Sequence, residues 1–137
     1  MSVFIDTSAW FAAANRKDRD HAATAALLRS QTDRVITDFV LVETWLLIKN
    51  RMDFKTANMF WAGIQTGVAR LEEVDSADVS NAWNVGQKFT VQNFSIVDLT
   101  SFIVMERLGL TRVITLDSDF AVYRYGPNRG RAFEVLR

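Results

Sequence analysis

Short apolar runs recur along this chain between longer stretches of helical periodicity, and two of them stop at an aspartate. Ser2–Ile5 runs into Asp6, and Arg112–Leu116 runs into Asp117. Arg34–Thr37 reads as another strand, Val68–Val74 as a third in chain order, and the tail Arg131–Leu136 as an edge strand. Between them, helical spacing of apolar side chains marks Asp18–Arg29, Phe39–Lys49, Lys55–Gly67, Ser76–Phe89 and Leu99–Leu108, the last stopped by Gly109 at the C-cap position. A further helix begins at Thr7, directly after Asp6. Short apolar strands alternating with helices predict parallel β-α-β units with right-handed crossovers. The expected class is therefore α/β, a three-layer α/β/α sandwich with a central, mainly parallel sheet, and the 137 residues suit one domain. In such sheets, function gathers outside the carboxyl ends of the strands.

What is missing narrows the chemistry. There is no cysteine, which removes disulfides, thiolate catalysis and thiolate metal sites. The one histidine, His21, removes histidine-cluster metal sites. The six glycines form no dinucleotide fingerprint and no P-loop. A metal site here has to be built from oxygen ligands, which points to Mg²⁺ or Mn²⁺. Sixteen Lys and Arg balance sixteen Asp and Glu, so any attraction for a polyanion has to be local. The start carries no cationic leader, and the longest apolar stretch, Phe39–Ile48, is broken by Glu43 and half the length of a membrane span. A cytoplasmic protein is the expectation.

The acids fall in a pattern. Asp6 and Asp117 follow apolar strands and are expected at the carboxyl edge of the sheet. Asp98 stands at the mouth of a helix, where exposed N–H groups favour an anion. Glu43 lies in Phe39–Leu47, a helix apolar nearly all round and so expected to be buried, with Phe39, Val40, Leu46 and Leu47 as its helical neighbours. A buried, unpaired carboxylate costs several kcal/mol and needs a divalent cation or an arginine from elsewhere. Singly, each acid has a plainer reading: Asp6 and Asp98 as helix caps, Asp117 and Asp119 as a polar turn, Glu43 as half of an ion pair. Asp38 reads as a cap. Jointly they are like charges brought together, and that calls for a cation.

Ser8, Thr100 and Ser101 lie within a helical turn of an acid and are candidates for orienting it or a metal-bound water, with capping as the alternative for the last two. His21 reads as packing or hydrogen-bonding locally, and the four tryptophans as core or interface anchors. Arg16, Lys17, Lys49 and Arg51 are the candidate phosphate contacts at the rim of an acidic pocket.

Four blocks of the sequence resemble the acidic blocks of PIN domains: Phe4-Ile5-Asp6-Thr7-Ser8-Ala9-Trp10, Val42-Glu43-Thr44, Phe94-Ser95-Ile96-Val97-Asp98-Leu99-Thr100-Ser101-Phe102 and Leu116-Asp117-Ser118-Asp119-Phe120. Their order and spacing agree with the family over essentially the whole chain, and most nearly with the VapC-type ribonuclease toxins of toxin–antitoxin pairs. The resemblance implies a Mg²⁺- or Mn²⁺-dependent endoribonuclease with Asp6, Glu43, Asp98 and Asp117 as its acidic quartet and Asp119 as an extra acid. It also implies a homodimer and a small protein antitoxin as partner. On this reading Asp6 and Asp98 hold the ion directly, while Glu43, Asp117 and Asp119 hold its waters or a second ion.

Other readings compete. A ribonuclease of RNA processing outside a toxin pair shares every one of these blocks. A phosphatase of the haloacid dehalogenase type also begins with a strand-end aspartate, but it wants a second one where this chain has Ser8. A receiver-like domain wants adjacent early acids and a late lysine after a strand, and Lys88, the last lysine, does not follow one. A scaffold with a vestigial pocket has no need of a complete quartet.

Overall fold

The computed structural model describes residues 1–137. Five strands, β1 (Ser2–Ile5), β2 (Asp33–Thr37), β3 (Arg70–Glu72), β4 (Arg112–Ile114) and β5 (Glu134–Leu136), form one sheet in the order β3-β2-β1-β4-β5, with every pairing parallel. The helices are α1 (Thr7–Ala14), α2 (His21–Arg29), α3 (Asp38–Arg51), α4 (Phe54–Gln65), α5 (Ser76–Gly86), α6 (Ile96–Leu108) and the short α7 (Asp119–Val122). The chain moves outward from β1 through β2 to β3, then returns across the sheet to β4. Right-handed crossovers therefore put α1 to α4 on one face and α5 to α7 on the other, in keeping with the packing of α1 on α2 and α3 and of α6 on α5 and α7. The direction of travel reverses between β1 and β4, so the crevice of this sheet opens at their carboxyl ends.

Several elements are shorter or longer than their apolar pattern, each for a visible reason. The third strand shrinks from Val68–Val74 to three residues because side chains claim its ends: the Arg34 guanidinium donates to the Val68 carbonyl at 2.8 Å, and Val74 N–H donates to Asp38 at 3.0 Å. The last strand starts at Glu134 because Arg131 pairs antiparallel with Tyr125. Asp38 is not the cap of α3. Thr37 caps it, accepting from Val40 N–H at 3.1 Å, while Asp38 ties the helix to the segment after β3.

The core on the α6 side is aromatic. Phe102 stacks on Tyr123 at 4.2 Å between centroids and meets Phe120 edge-on at 4.9 Å. α6 is also fastened to α5 by Arg107, which grips the buried Asp78 carboxylate with Nε at 2.9 Å and a terminal nitrogen at 2.8 Å. Asp78 at the same time closes the capping box of α5 with Asp75. Because the carboxylate is buried and the guanidinium half-exposed, removing the cation leaves an unpaired internal charge. Arg107→Ala is expected to cost on the order of 2–3 kcal/mol, read as a lower urea midpoint, and Asp78→Ala in the same background should cost much less than it does alone.

Candidate active site

The register of β1 against β4 builds the centre of the site. Phe4 and Ile5 pair with Val113 and Ile114, and Asp6 N–H extends the ladder by one step to the Ile114 carbonyl at 3.1 Å. Asp6 therefore arrives beside Thr115 at the carboxyl edge, 2 % exposed. It occupies the N-cap position of α1, yet its side chain makes no capping hydrogen bond. Its carboxylate instead accepts from the Thr115 hydroxyl at 2.9 Å and lies 3.2 Å from the Ser8 hydroxyl. Both hydroxyls are oriented from behind: Leu116 N–H donates to Ser8 at 2.9 Å and Asp117 N–H to Thr115 at 3.1 Å. Two backbone donors thus point two hydroxyl protons at the carboxylate cluster.

The other aspartates surround this one. Asp98 is the third residue of α6 and shares a capping box with Ser95, accepting from Ser95 N–H at 3.3 Å. Asp117 stands exposed at the rim and Asp119 opens α7, half-buried. Burial pushes the Asp6 carboxyl up to about 6, opposed mainly by the Thr115 hydrogen bond and reinforced by the Asp117 charge. Burial also pushes Asp98 up to about 7, with the neighbouring Asp119 carboxyl and the Asp6 charge adding to the rise. Partial desolvation and Asp119 raise Asp117 as well, and the Arg137 guanidinium pulls the other way. Asp6, Asp98 and Asp117 are thus held where burial and like charge disfavour ionisation.

Glu43 departs from expectation. The α3 helix is not apolar all round its buried surface: Val40, Leu41, Thr44 and Ile48 face the core, while Val42 and Leu46 are 48 % and 47 % exposed. Glu43 is half-exposed, without an ion pair, and lines a groove of about 490 Å³ with Asp38, Phe39, Val42, Leu46 and Val97. Val97 precedes Asp98, so Glu43 stands on the wall of the site facing the start of α6. It does not need a cation to be tolerated there, as a fully buried carboxylate would.

Two further expectations are corrected. The Thr100 hydroxyl donates to the Ile96 and Val97 carbonyls and that of Ser101 to Val97, so both serve their own helix and touch no acid. Arg16, Lys17 and Arg51 do not rim the acidic pocket; they line a separate cavity, and Lys49 lies over the Trp45 ring at 6.0 Å. Two residues of the site escaped the sequence reading. Thr115 is fully buried in a strand end, and a hydroxyl there signals a partner. Arg137 follows β5, whose pairing of Leu136 with Ile114 carries the guanidinium to the Leu116 carbonyl at 3.4 Å, beside Asp117.

The donor set is all oxygen and anionic, which suits a hard divalent cation. No three acidic or histidine side chains are arranged to ligate one ion together. Mg²⁺ keeps several waters and needs only one or two carboxylates directly, so the cluster fits such an ion. The buried Asp6 and the half-buried Asp98 are the pair available for direct contact.

A PIN-domain family model matches residues 3–124. The chain belongs to the PIN-domain family. Within it, the VapC-type proteins are its relatives. It is 33% identical over 120 residues to the 23S rRNA-specific endonuclease VapC20 of Mycobacterium tuberculosis, covering 87% of this chain and 92% of that protein. It is 26% identical over 136 residues to ribonuclease VapC26 of the same species, with 98% and 99% covered. The crystal structure of VapC20, a Sarcin-Ricin loop cleaving toxin, superposes with a TM-score of 0.81 at 31% identity over 85% of this chain and 91% of that one. VapBC2 of Rickettsia felis, bound to a promoter DNA fragment, shares the fold at a TM-score of 0.64 and 12% identity, over 86% and 89%.

The raised carboxyls set a pH dependence. Asp6 and Asp98 bind protons more tightly folded than unfolded, so without divalent cations stability falls as pH rises from about 4 through about 7. Urea midpoints at pH 5 and 7.5 in chelator should show this fall. Asp98→Asn should flatten it, and an equal or steeper fall in the variant would contradict the assignment.

Proposed function

We propose that this chain is a divalent-cation-dependent endoribonuclease and the toxin of a toxin–antitoxin pair. The observation that carries the reading is the four-aspartate cluster at the reversal point of a parallel sheet, with Asp6 withheld from helix capping and aimed by Thr115 and Ser8. Membership of the PIN-domain family and likeness to VapC20 and VapC26, whose names describe RNA cleavage, support it.

Asp6 and Asp98 would hold Mg²⁺ or Mn²⁺ directly, and Glu43, Asp117 and Asp119 would hold its waters or a second ion. The bound ion supplies charge neutralisation on the phosphodiester and a lowered pKa for an attacking water. The protein's own contribution is positional. Thr115 and Ser8, each fixed by a backbone N–H, allow the Asp6 carboxylate a narrow range of rotation. The capping box with Ser95 fixes Asp98 through one oxygen and leaves the other free of a capping role. Arg137, beside Asp117, offers a guanidinium to a non-bridging phosphate oxygen at the rim.

The partners follow the same reading. Exposed Val42 and Leu46 on α3 and Ile96 at the start of α6 give an apolar patch beside the site, which we assign to a homodimer contact. A small protein antitoxin and a cytoplasmic setting complete the proposal. No helix is long and apolar enough to cross a membrane.

The purified chain with Mg²⁺ or Mn²⁺ should cleave RNA, and chelation should abolish the activity. Asp6→Asn and Asp98→Asn should each lower the rate about 100-fold or more, as loss of a group acting in the transition state does. Undiminished cleavage by both variants rejects the mechanism.

A further inference from the structure

On the helical face formed by α1 to α4, away from the aspartates, a cavity of about 850 Å³ opens between the end of α1, the starts of α2 and α4 and the end of α3. Arg16, Lys17, Arg29 and Arg51 line it, together with His21 and Asp53. None of the four cations makes a salt bridge, and none uses its side chain in a hydrogen bond within the protein. The one acid is already engaged: Asp53 accepts Thr56 N–H at 2.6 Å as the cap of α4. His21 hydrogen-bonds the Ala12 carbonyl through Nδ1 at 2.8 Å, so Nδ1 carries the proton and the ring braces α2 against α1. Uncommitted cations therefore converge here, in a chain whose net charge is zero.

From this we infer that the cavity is a docking site for the phosphate backbone of an RNA, separate from the acidic centre. Rows of unneutralised Arg and Lys with no internal partner are stabilised by an external polyanion, which gains by releasing its condensed counterions. The acidic centre cannot supply that attraction, because its aspartates repel phosphate. α1 sets the separation: Asp6 precedes its first residue and Arg16 follows its last, so the two sites lie about 12 Å or more apart along a helix of eight residues. A strand long enough to pass both would be held at one end by cations and presented at the other to the aspartates. Arginines predominate among the lining cations, and their forked guanidinium suits phosphate oxygens.

The inference rests on the ribonuclease reading only for the identity of the polyanion, and binding is measured in a chain that cannot cleave. Failure of the cleavage test and failure here are therefore distinguishable. The probe is a fluorescein-labelled RNA stem-loop, titrated with full-length Asp98→Asn protein in fixed Mg²⁺ over a series of KCl concentrations. Adding Arg16→Ala, Arg29→Ala and Arg51→Ala together should weaken binding about tenfold or more at low salt and reduce the slope of log affinity against log salt by about 2–3. Replacing the same three residues by lysine should restore the slope, which separates lost charge from lost fold. Lys88→Ala, on the opposite face, should leave the slope intact. An unchanged slope in the triple alanine protein overturns the inference. So does failure of the folded lysine variant to restore binding, and so does a triple variant that loses only a polyglutamate peptide, which would assign the cavity to an acidic protein partner.

Discussion

Repulsion among Asp6, Asp98, Asp117 and Asp119 is the interaction around which the rest of this molecule is arranged. Three of these carboxyls are raised by burial and by one another, and no lysine or arginine forms a salt bridge with Asp6 or Asp98. A chain tolerates such crowding only where the backbone enforces it. Here the enforcement is the parallel pairing of β1 with β4, which delivers Asp6 and Thr115 to adjacent positions, and the α6 capping box, which fixes Asp98. Thr115 and Ser8 offset part of the cost by hydrogen-bonding the charged form of Asp6. The remainder is available to a cation.

Charge is segregated along α1. Its N-terminal end carries the acidic cluster, and its C-terminal end runs into the cavity lined by Arg16 and Lys17. Zero net charge thus conceals a strongly dipolar surface, with the two poles on one rigid element. On the proposed function, that arrangement would suit chemistry on a polyanion: attraction would be supplied at one place, and the reacting phosphate would meet a centre attractive only with a cation bound.

Much of this was legible in the sequence because burial and capping leave local marks. The apolar run ending at Asp6 matches the end of β1, the run before Asp117 overshoots β4 by two residues because β4 stops at Ile114, and Gly109, with φ of +70°, marks the end of α6. Element ends were misjudged where side chains compete with the ladder, as Arg34 and Asp38 do at β3, since such contacts join residues more than thirty positions apart. The apolar neighbours of Glu43 suggest burial, but an apolar side chain can also face outward, and Val42 and Leu46 do. Charge alone suggests Arg16 and Arg51 for the acidic rim, but helix direction carries them to the separate cavity. Thr115 and Arg137 depend on strand register, which no local pattern encodes.

The most direct measurement of the central claim is ¹³C NMR titration of the aspartate carboxyls in the presence and absence of Mg²⁺. The account predicts that without the ion two of them titrate near 6 and 7, assigned to Asp6 and Asp98, and that Mg²⁺ drives both well below their ordinary range. Ordinary titration of both near about 4 in either condition would contradict it.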